Sequence, residues 1–502
     1  MFATALAQLR FAASVGLGRP FSLWSLERLI DAMSDTKEEF GTIGAEDAGL
    51  LAGPTLDEET HREIQLRRFR TQAVWGARQT AYYGRLFERL GLDPARLRFE
   101  DIAERIPLTP KEALREDPDA FVRRTARPCF RTTTTGTTGK PTSMCFSAHE
   151  MQTYIALGAI SHLLTNHIDS SDIVQINTSS RATLGNTCFA GACARIGALV
   201  QPVGLVEPEH TLALLGEEHH IVGKKPKVSY MNTYPSYLGE LVEYGLQQGY
   251  RPSDFGLEHI SVGGELVSEG LKVRARGLFG EVEFDEGYGM TETWPLSGQP
   301  CSEGHMHFEP LAGLVEVIDP EKGAPALPGE AGTIVATPLP PYRDTTILLR
   351  YDTQDVVRPI SGPLTCELCN QPATTPLLGK LRLAARHGEG WTYPREVLEA
   401  LEADENVPLP ARYGFWVCPE GGGVAVEVVA RGTGSSIRRT IETRLQERGV
   451  PVRELRLVRH PSELRRSMPL RCDLKETSFS VPGEPMRAPG LAPVGLRTRE
   501  EN

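Results

Sequence analysis

Residues 132–142 read Thr132-Thr133-Thr134-Thr135-Gly136-Thr137-Thr138-Gly139-Lys140-Pro141-Thr142. This stretch is the most informative in the chain. Gly136 and Gly139 let the backbone come close to an anion and adopt positive φ. Thr135, Thr137 and Thr138 supply hydroxyl donors, and Lys140 supplies a point charge for phosphate. The combination suits a polyphosphate. It is not the loop with four residues between its glycines followed by Lys-Ser/Thr. A flexible Thr/Gly linker would rarely end in one Lys-Pro and then resume an ordered chain.

Working outward, short apolar runs alternate with helical stretches. Strands are predicted at Ile173–Asn177, Lys227–Asn232, His259–Val262 and Glu281–Asp285, which implies an α/β core with largely parallel sheet. Antiparallel strands are expected at Leu314–Ile318, Gly332–Thr337 and Thr346–Leu349. Upstream, apolar residues recur at helical spacing from Ile64 to Leu90, with Thr55 as N-cap, Glu58 closing a capping box, and Gly91 and Pro94 as stops. Downstream, Pro394–Leu401 and Ser435–Glu447 read as helices, and Tyr413–Val417, Val424–Val429 and Val452–Val458 as strands. The domains expected are a lead-in over 1–60, a large domain over 61–379, a small α+β domain over 380–479 and a loose tail over 480–502.

Three further motifs follow in order. Val262-Gly263-Gly264-Glu265 follows a strand. Glu286-Gly287-Tyr288-Gly289-Met290-Thr291-Glu292 comes next, and then Leu349-Arg350-Tyr351-Asp352-Thr353-Gln354-Asp355. Each alone is weak, but together and in this order they resemble the adenylate-forming superfamily of acyl-CoA synthetases, nonribosomal adenylation domains and luciferases. The Thr/Gly loop is most similar to the phenylacetate–CoA ligase branch. The resemblance spans most of residues 60–380, including Ile106-Pro107-Leu108-Thr109-Pro110-Lys111.

The resemblance implies a large N-terminal domain of mixed sheets and helices with a small, mobile C-terminal domain. It also implies ATP-dependent activation of a carboxylic acid as acyl-adenylate, with release of pyrophosphate. By it, residues 135–140 and the loop Gly264-Glu265 bind nucleotide, and Tyr288 and Gly289 meet the adenine. Thr291 binds the α-phosphate, Glu292 holds Mg²⁺, Asp355 takes the ribose hydroxyls and Arg350 supports that loop. The acid pocket would involve Asn177–Phe189, Tyr230–Tyr237 and Gly263–Gly264. Phe189, Tyr234 and Tyr237 there suit an aromatic acid.

The sequence departs from the family at two places. The hinge reads Leu378-Gly379-Lys380-Leu381-Arg382-Leu383, with Lys for Arg and no acid. The C-terminal lysine position aligns with Leu470 or Arg471, and Lys475 is the only lysine after Lys380. Lys475 is the candidate catalytic lysine, with Arg471 as the alternative. Three outcomes stay open: transfer of the acyl group to CoA, transfer to an amine, or a nucleotide-binding relic without chemistry.

Cys366-x-x-Cys369 has metal-ligand spacing. With Cys301 and His307 it makes a candidate structural Zn²⁺ site, a feature the resemblance also offers; His305 is near, but the following strand matches the family with His307 as ligand. The other six cysteines show no ligand spacing.

Apolar residues make up 40% of the 502 and charged residues 24%, with net charge -11. That composition is globular and speaks against a nucleic-acid partner. No apolar run reaches membrane-spanning length, and the N-terminus lacks signal-peptide form. Nine cysteines in this length are no disulfide framework, so the chain reads as cytoplasmic. A homodimer is allowed by analogy only.

Overall fold

The computed structural model describes residues 2–17, 19–43, 57–134, 142–180, 182–388, 390–419 and 422–474. The expected helix from Ile64 to Leu90 is two helices. After α1 (Phe2–Leu17) and α2 (Leu23–Phe40) come α3 (Glu58–Gln79) and α4 (Ala81–Leu90). Thr80 separates them: its backbone is extended, and its side chain caps α4 by accepting from the Tyr83 amide. Helical spacing carries no mark of such a break, because both halves bury faces in one core. The N-cap of α3 is Asp57, which accepts from the Thr60 amide at 2.7 Å. Thr55 lies outside the described residues. The lead-in is not loose against the rest: α2 packs on the helix Ala148–Leu164, labelled α5, and Asp31 pairs with Arg195 at 2.7 Å.

A hairpin of β1 (Pro128–Thr133) and β2 (Ser143–Ser147) precedes α5. Then comes a five-stranded parallel sheet of β3 (Ile173–Asn177), β4 (Leu199–Pro202), β5 (Tyr230–Thr233), β6 (His259–Val262) and β7 (Glu283–Glu286), in the order β4-β3-β5-β6-β7. Helices α6 (Thr183–Ile196), α7 (Pro235–Gln248) and α8 (Glu269–Phe279) connect its strands. Ile173, Met231, Ile260, Tyr237, Leu241 and Leu278 enter one apolar cluster, and Val174, Ile176, Ala192 and Tyr230 enter another. Both faces of the sheet are therefore covered, as parallel sheets require. Two predicted starts were early: Lys227 and Glu281 precede the first paired residues, Tyr230 and Glu283.

Next follow β8 (Gly298–Pro300), β9 (Met306–Phe308), β10 (Gly313–Ile318), β11 (Gly332–Pro338), β12 (Tyr351–Val357), β13 (Ala373–Thr374) and β14 (Gly379–Lys380). They form an antiparallel sheet β10-β11-β12-β14 and a smaller one, β13-β9-β8. The strand expected at Thr346–Leu349 is not one. Its backbone is claimed piecemeal: the Ile347 amide by Phe121 O and the Leu349 amide by the Tyr83 hydroxyl. The paired strand begins at Tyr351, after Arg350 takes a positive φ of 47°.

Beyond residue 380, α9 (Pro394–Glu402) and α10 (Ser435–Glu447) flank a sheet of β15 (Tyr413–Val417), β16 (Val424–Val429) and β17 (Val452–Val458). Val397, Leu401, Phe415, Val426, Ile441 and Leu455 form its own core. Among the described residues no helix is long and apolar enough to cross a membrane.

Candidate functional site

Side chains from distant motifs meet at the C-terminal ends of the parallel strands and the adjoining antiparallel sheet. Glu292, in the turn after β7, is 1% exposed. A carboxylate so buried needs partners. The Lys111 ammonium donates to its Oε1 at 3.0 Å and the Tyr351 hydroxyl to the same atom at 3.2 Å. Burial, then the nearby Glu292 charge, holds the Tyr351 phenol well above its usual range, so it stays a donor.

A second carboxylate, Asp355 on β12, gathers Tyr288 and Lys380. The Tyr288 hydroxyl donates to Oδ2 at 3.1 Å, and Lys380 Nζ donates to the same oxygen at 2.7 Å. Burial, then the Asp355 charge, raises the Tyr288 phenol well above its usual range. The ring meets Phe308 edge-on, with centroids 6.1 Å apart. Backbone bonds in both directions tie Tyr288 to Gly298. Gly289 lies beside the Trp294 ring, which a Cβ would approach to 3.2 Å. Thr291 is half-buried at the start of the turn leading to Glu292.

The loop after β6 has its own partner. Gly264 takes φ +79°, which a glycine adopts freely. Its carbonyl accepts from Arg471 Nε at 2.9 Å, and that guanidinium stacks over Tyr234 at 5.0 Å. Glu265 accepts from the Arg471 amide at 2.6 Å and from the Ser236 amide at 3.0 Å. Burial nevertheless keeps its carboxyl above the usual range. The last described segment, Arg471–Leu474, is thus fastened to the face that carries this loop.

Arg350, expected to support the loop that carries Asp355, is itself buried in a network of bonds. Its guanidinium forks onto Glu316 at 3.0 and 2.9 Å and donates to the carbonyls of Ala103 and Ile106. It therefore braces β10 against the segment that leads to Lys111. Residues Thr135 to Lys140 lie outside the described residues. On either side of 135–141 the Thr134 amide donates to Thr142 O at 2.9 Å, and the Thr142 amide to Thr134 Oγ1 at 3.1 Å. Lys475 also lies outside the described residues.

The AMP-binding enzyme family model matches residues 93–337, which hold both the Thr/Gly loop and Glu292. The phenylacetate-coenzyme A ligase of Thermus thermophilus is 27% identical over 340 residues, covering 65% of this chain and 72% of that protein. The enzyme of the same name from Pseudomonas putida is 25% identical over 319 residues, covering 61% and 69%. A solved 2-hydroxyisobutyryl-CoA ligase in its postadenylation state superposes with a TM-score of 0.67 at 20% identity, covering 80% of this chain and 87% of that one. The chain is similar to AMP-binding enzymes over residues 93–337 and shares the fold of the adenylate-forming acyl-CoA ligases. The same ligase in its thioesterification state superposes less well, with a TM-score of 0.57 over 82% and 89%.

The candidate zinc residues are brought together with one exchange. Cys301, His305, His307 and Cys366 place their ligand atoms within 4.8 Å of one another. Cys366 Sγ lies 3.4 Å from His307 Nε2, while His307 Nδ1 faces Gln371 O at 3.3 Å. A carbonyl behind a ligating imidazole is the usual orienting partner. His305 Nδ1 is buried without a hydrogen bond. Cys369 is exposed, its thiol 3.9 Å from Asn370 Oδ1, and it stands outside that group, which His305 joins. Spacing alone does not reveal that only the first cysteine of the motif is buried.

Sequence reasoning passed over Lys111 and Tyr351 as functional residues, although both stand inside quoted motifs. It noted Lys380 only as a departure at the hinge. Of the aromatic side chains expected at the acid pocket, two are engaged elsewhere. The Tyr237 hydroxyl bonds Val206 O and Thr211 at 2.7 Å each, and Phe189 packs on His162 and Tyr230. Tyr234 remains, under Arg471.

Proposed function

We propose that this chain activates a carboxylic acid with ATP and passes the acyl group to the thiol of CoA. In the first step a carboxylate oxygen bonds to the α-phosphorus, the bond to the β-phosphate oxygen breaks, and pyrophosphate leaves. In the second a thiolate attacks the acyl carbon and AMP leaves. The observation that carries this reading is the pair of buried carboxylates, Glu292 and Asp355, each already bound by a lysine and a tyrosine drawn from separate motifs. Glu292 would hold Mg²⁺, whose charge suits a phosphate gaining negative charge. Asp355 would accept from the ribose hydroxyls, with Lys380 and Tyr288 fixing its orientation. Arg471 or Lys475 would stabilise the developing charge.

Residues 61–379 act as the nucleotide- and acid-binding domain and 380–479 as a small domain with its own core. Zn²⁺ would be held by Cys301, His305, His307 and Cys366, pinning the loop at β8–β9 to the segment before β13. An aromatic acid is favoured by Tyr234 and by the phenylacetate named for the relatives. A second reading sends the acyl group to an amine. It is favoured by the hinge, where Lys380 is tied to Asp355 and no acid follows.

Acid-dependent ATP–pyrophosphate exchange across aromatic and aliphatic acids tests the adenylation. Exchange should be lost at least a hundredfold in Glu292→Ala. Failure of ATP to bind by calorimetry would sink the reading. Product analysis with CoA and with amines separates the two acceptors.

A further inference from the structure

At the opposite end of the parallel sheet from the candidate nucleotide site lies a cluster that the proposed chemistry does not use. His259 opens β6 and Glu283 opens β7, directly opposite each other, and Tyr230 opens β5 beside His259. Four residues of strand, about 13 Å at 3.3 Å per residue, separate this row from the loop at Gly264. Asp285 lies two residues along β7 on the same face. His162 in the last turn of α5, and His167 just beyond it, close over that face.

The ligand atoms of His162, His167 and Asp285 all lie within 4.8 Å of one another, and so do those of His167, His259 and Glu283. His167 Nδ1 is 3.6 Å from Asp285 Oδ2, and His259 Nδ1 is 3.7 Å from Glu283 Oε2. These separations are too long for hydrogen bonds. They are near the separation of roughly 3.4 Å expected for two donors sharing a tetrahedral ion with bonds of about 2.1 Å. His259 Nδ1 is buried with no hydrogen-bond partner. The His167 and His259 rings lie 5.1 Å apart. The Tyr230 hydroxyl donates to Asp285 Oδ2 at 2.8 Å, as a partner that orients a ligating carboxylate would.

We propose that this cluster binds a divalent transition-metal ion of borderline softness, held by His162, His167 and Asp285. Imidazoles favour zinc, cobalt or nickel over magnesium or calcium. The site is separate from the thiol-containing cluster around Cys366, and its ligands come from α5, the turn after it and β7. An ion there would tie the end of α5 to the strand that leads into Tyr288.

The test uses full-length protein stripped with a chelator and titrated with Co²⁺, read by equilibrium dialysis and by absorption. Thiolate ligands give a sulfur-to-cobalt charge-transfer band, and this cluster cannot. The expected result is one Co²⁺ bound without that band in Cys301→Ser/Cys366→Ser, and binding weakened at least about tenfold when His167→Gln is added to it. His162→Gln, on a half-buried helix end, gives the same readout should His167→Gln not fold. Undiminished Co²⁺ binding in the folded histidine variants, or no Co²⁺ bound by the double cysteine variant, would overturn the proposal.

Discussion

Asp355 receives hydrogen bonds from Tyr288 and Lys380 on one oxygen, Oδ2, in a nearly closed environment. A carboxylate with one oxygen fixed in this way offers the other in a set direction, which a pair of ribose hydroxyls needs. Replacing Asp355 with Ala should weaken ATP binding by about 1.5–3 kcal/mol, the worth of a hydrogen bond to a charged group, or roughly 10- to 150-fold in Kd. Calorimetric titration of ATP checks this, and an unchanged Kd would remove Asp355 from the nucleotide site. At this scale the sequence was informative about identity and silent about pairing. Glu292 and Asp355 were legible as motif residues because their neighbours were. Their lysines were not, since Lys111 stands 181 residues from Glu292 and no local pattern joins them. Cys369 shows the opposite case: a local pattern is present, yet the residue is exposed and the buried group gathers His305 instead.

Between elements, Arg350 shows how a motif residue can serve the frame rather than the ligand. It is 3% exposed and joins Glu316 on β10 to two carbonyls ahead of Lys111. Burial pushes the Glu316 carboxyl above its usual range despite the arginine. Removal of one partner leaves the other charge buried, at a cost of about 3–5 kcal/mol. Arg350→Ala should therefore lower the thermal midpoint clearly, while the fraction that stays folded keeps ATP affinity within a few-fold. A variant of undiminished stability with lost ATP affinity would return Arg350 to the nucleotide. Element positions were well read wherever the apolar period ran unbroken, as in β3, β6, β15, β16 and α10. They failed where side chains from distant parts claim the backbone, at Ile347 and Leu349, and where Thr80 breaks one apolar face into two helices.

Across the whole molecule, Glu243 on α7 is one of the places where the region beyond residue 380 is fastened to the parallel-sheet region. Arg274 of α8 donates to its Oε2 at 3.1 Å, the Leu409 amide to the same oxygen at 3.2 Å, and Arg431 to its Oε1. Gln247 adds a bond at 2.8 Å. Burial alone would raise its carboxyl, but the hydrogen bonds from Arg431 and Leu409 and the Arg431 charge outweigh it, so the net shift is downward. An acid held below its unfolded value of 4.5 contributes stability that is present above that pH. The contribution is lost as pH falls through the lower folded value. Glu243→Gln keeps the shape and removes the charge. It should lower stability by about 1–3 kcal/mol at pH 7, read as a drop in thermal midpoint. The gap between variant and parent should then shrink in scans taken progressively below pH 4.5, because the parent loses the same charge. A gap that stays constant or widens in acid would mean that Glu243 holds the two regions by shape and not by charge. No periodicity in the sequence could have indicated this fastening, since Glu243, Arg274, Leu409 and Arg431 converge only once three separately folded elements have packed.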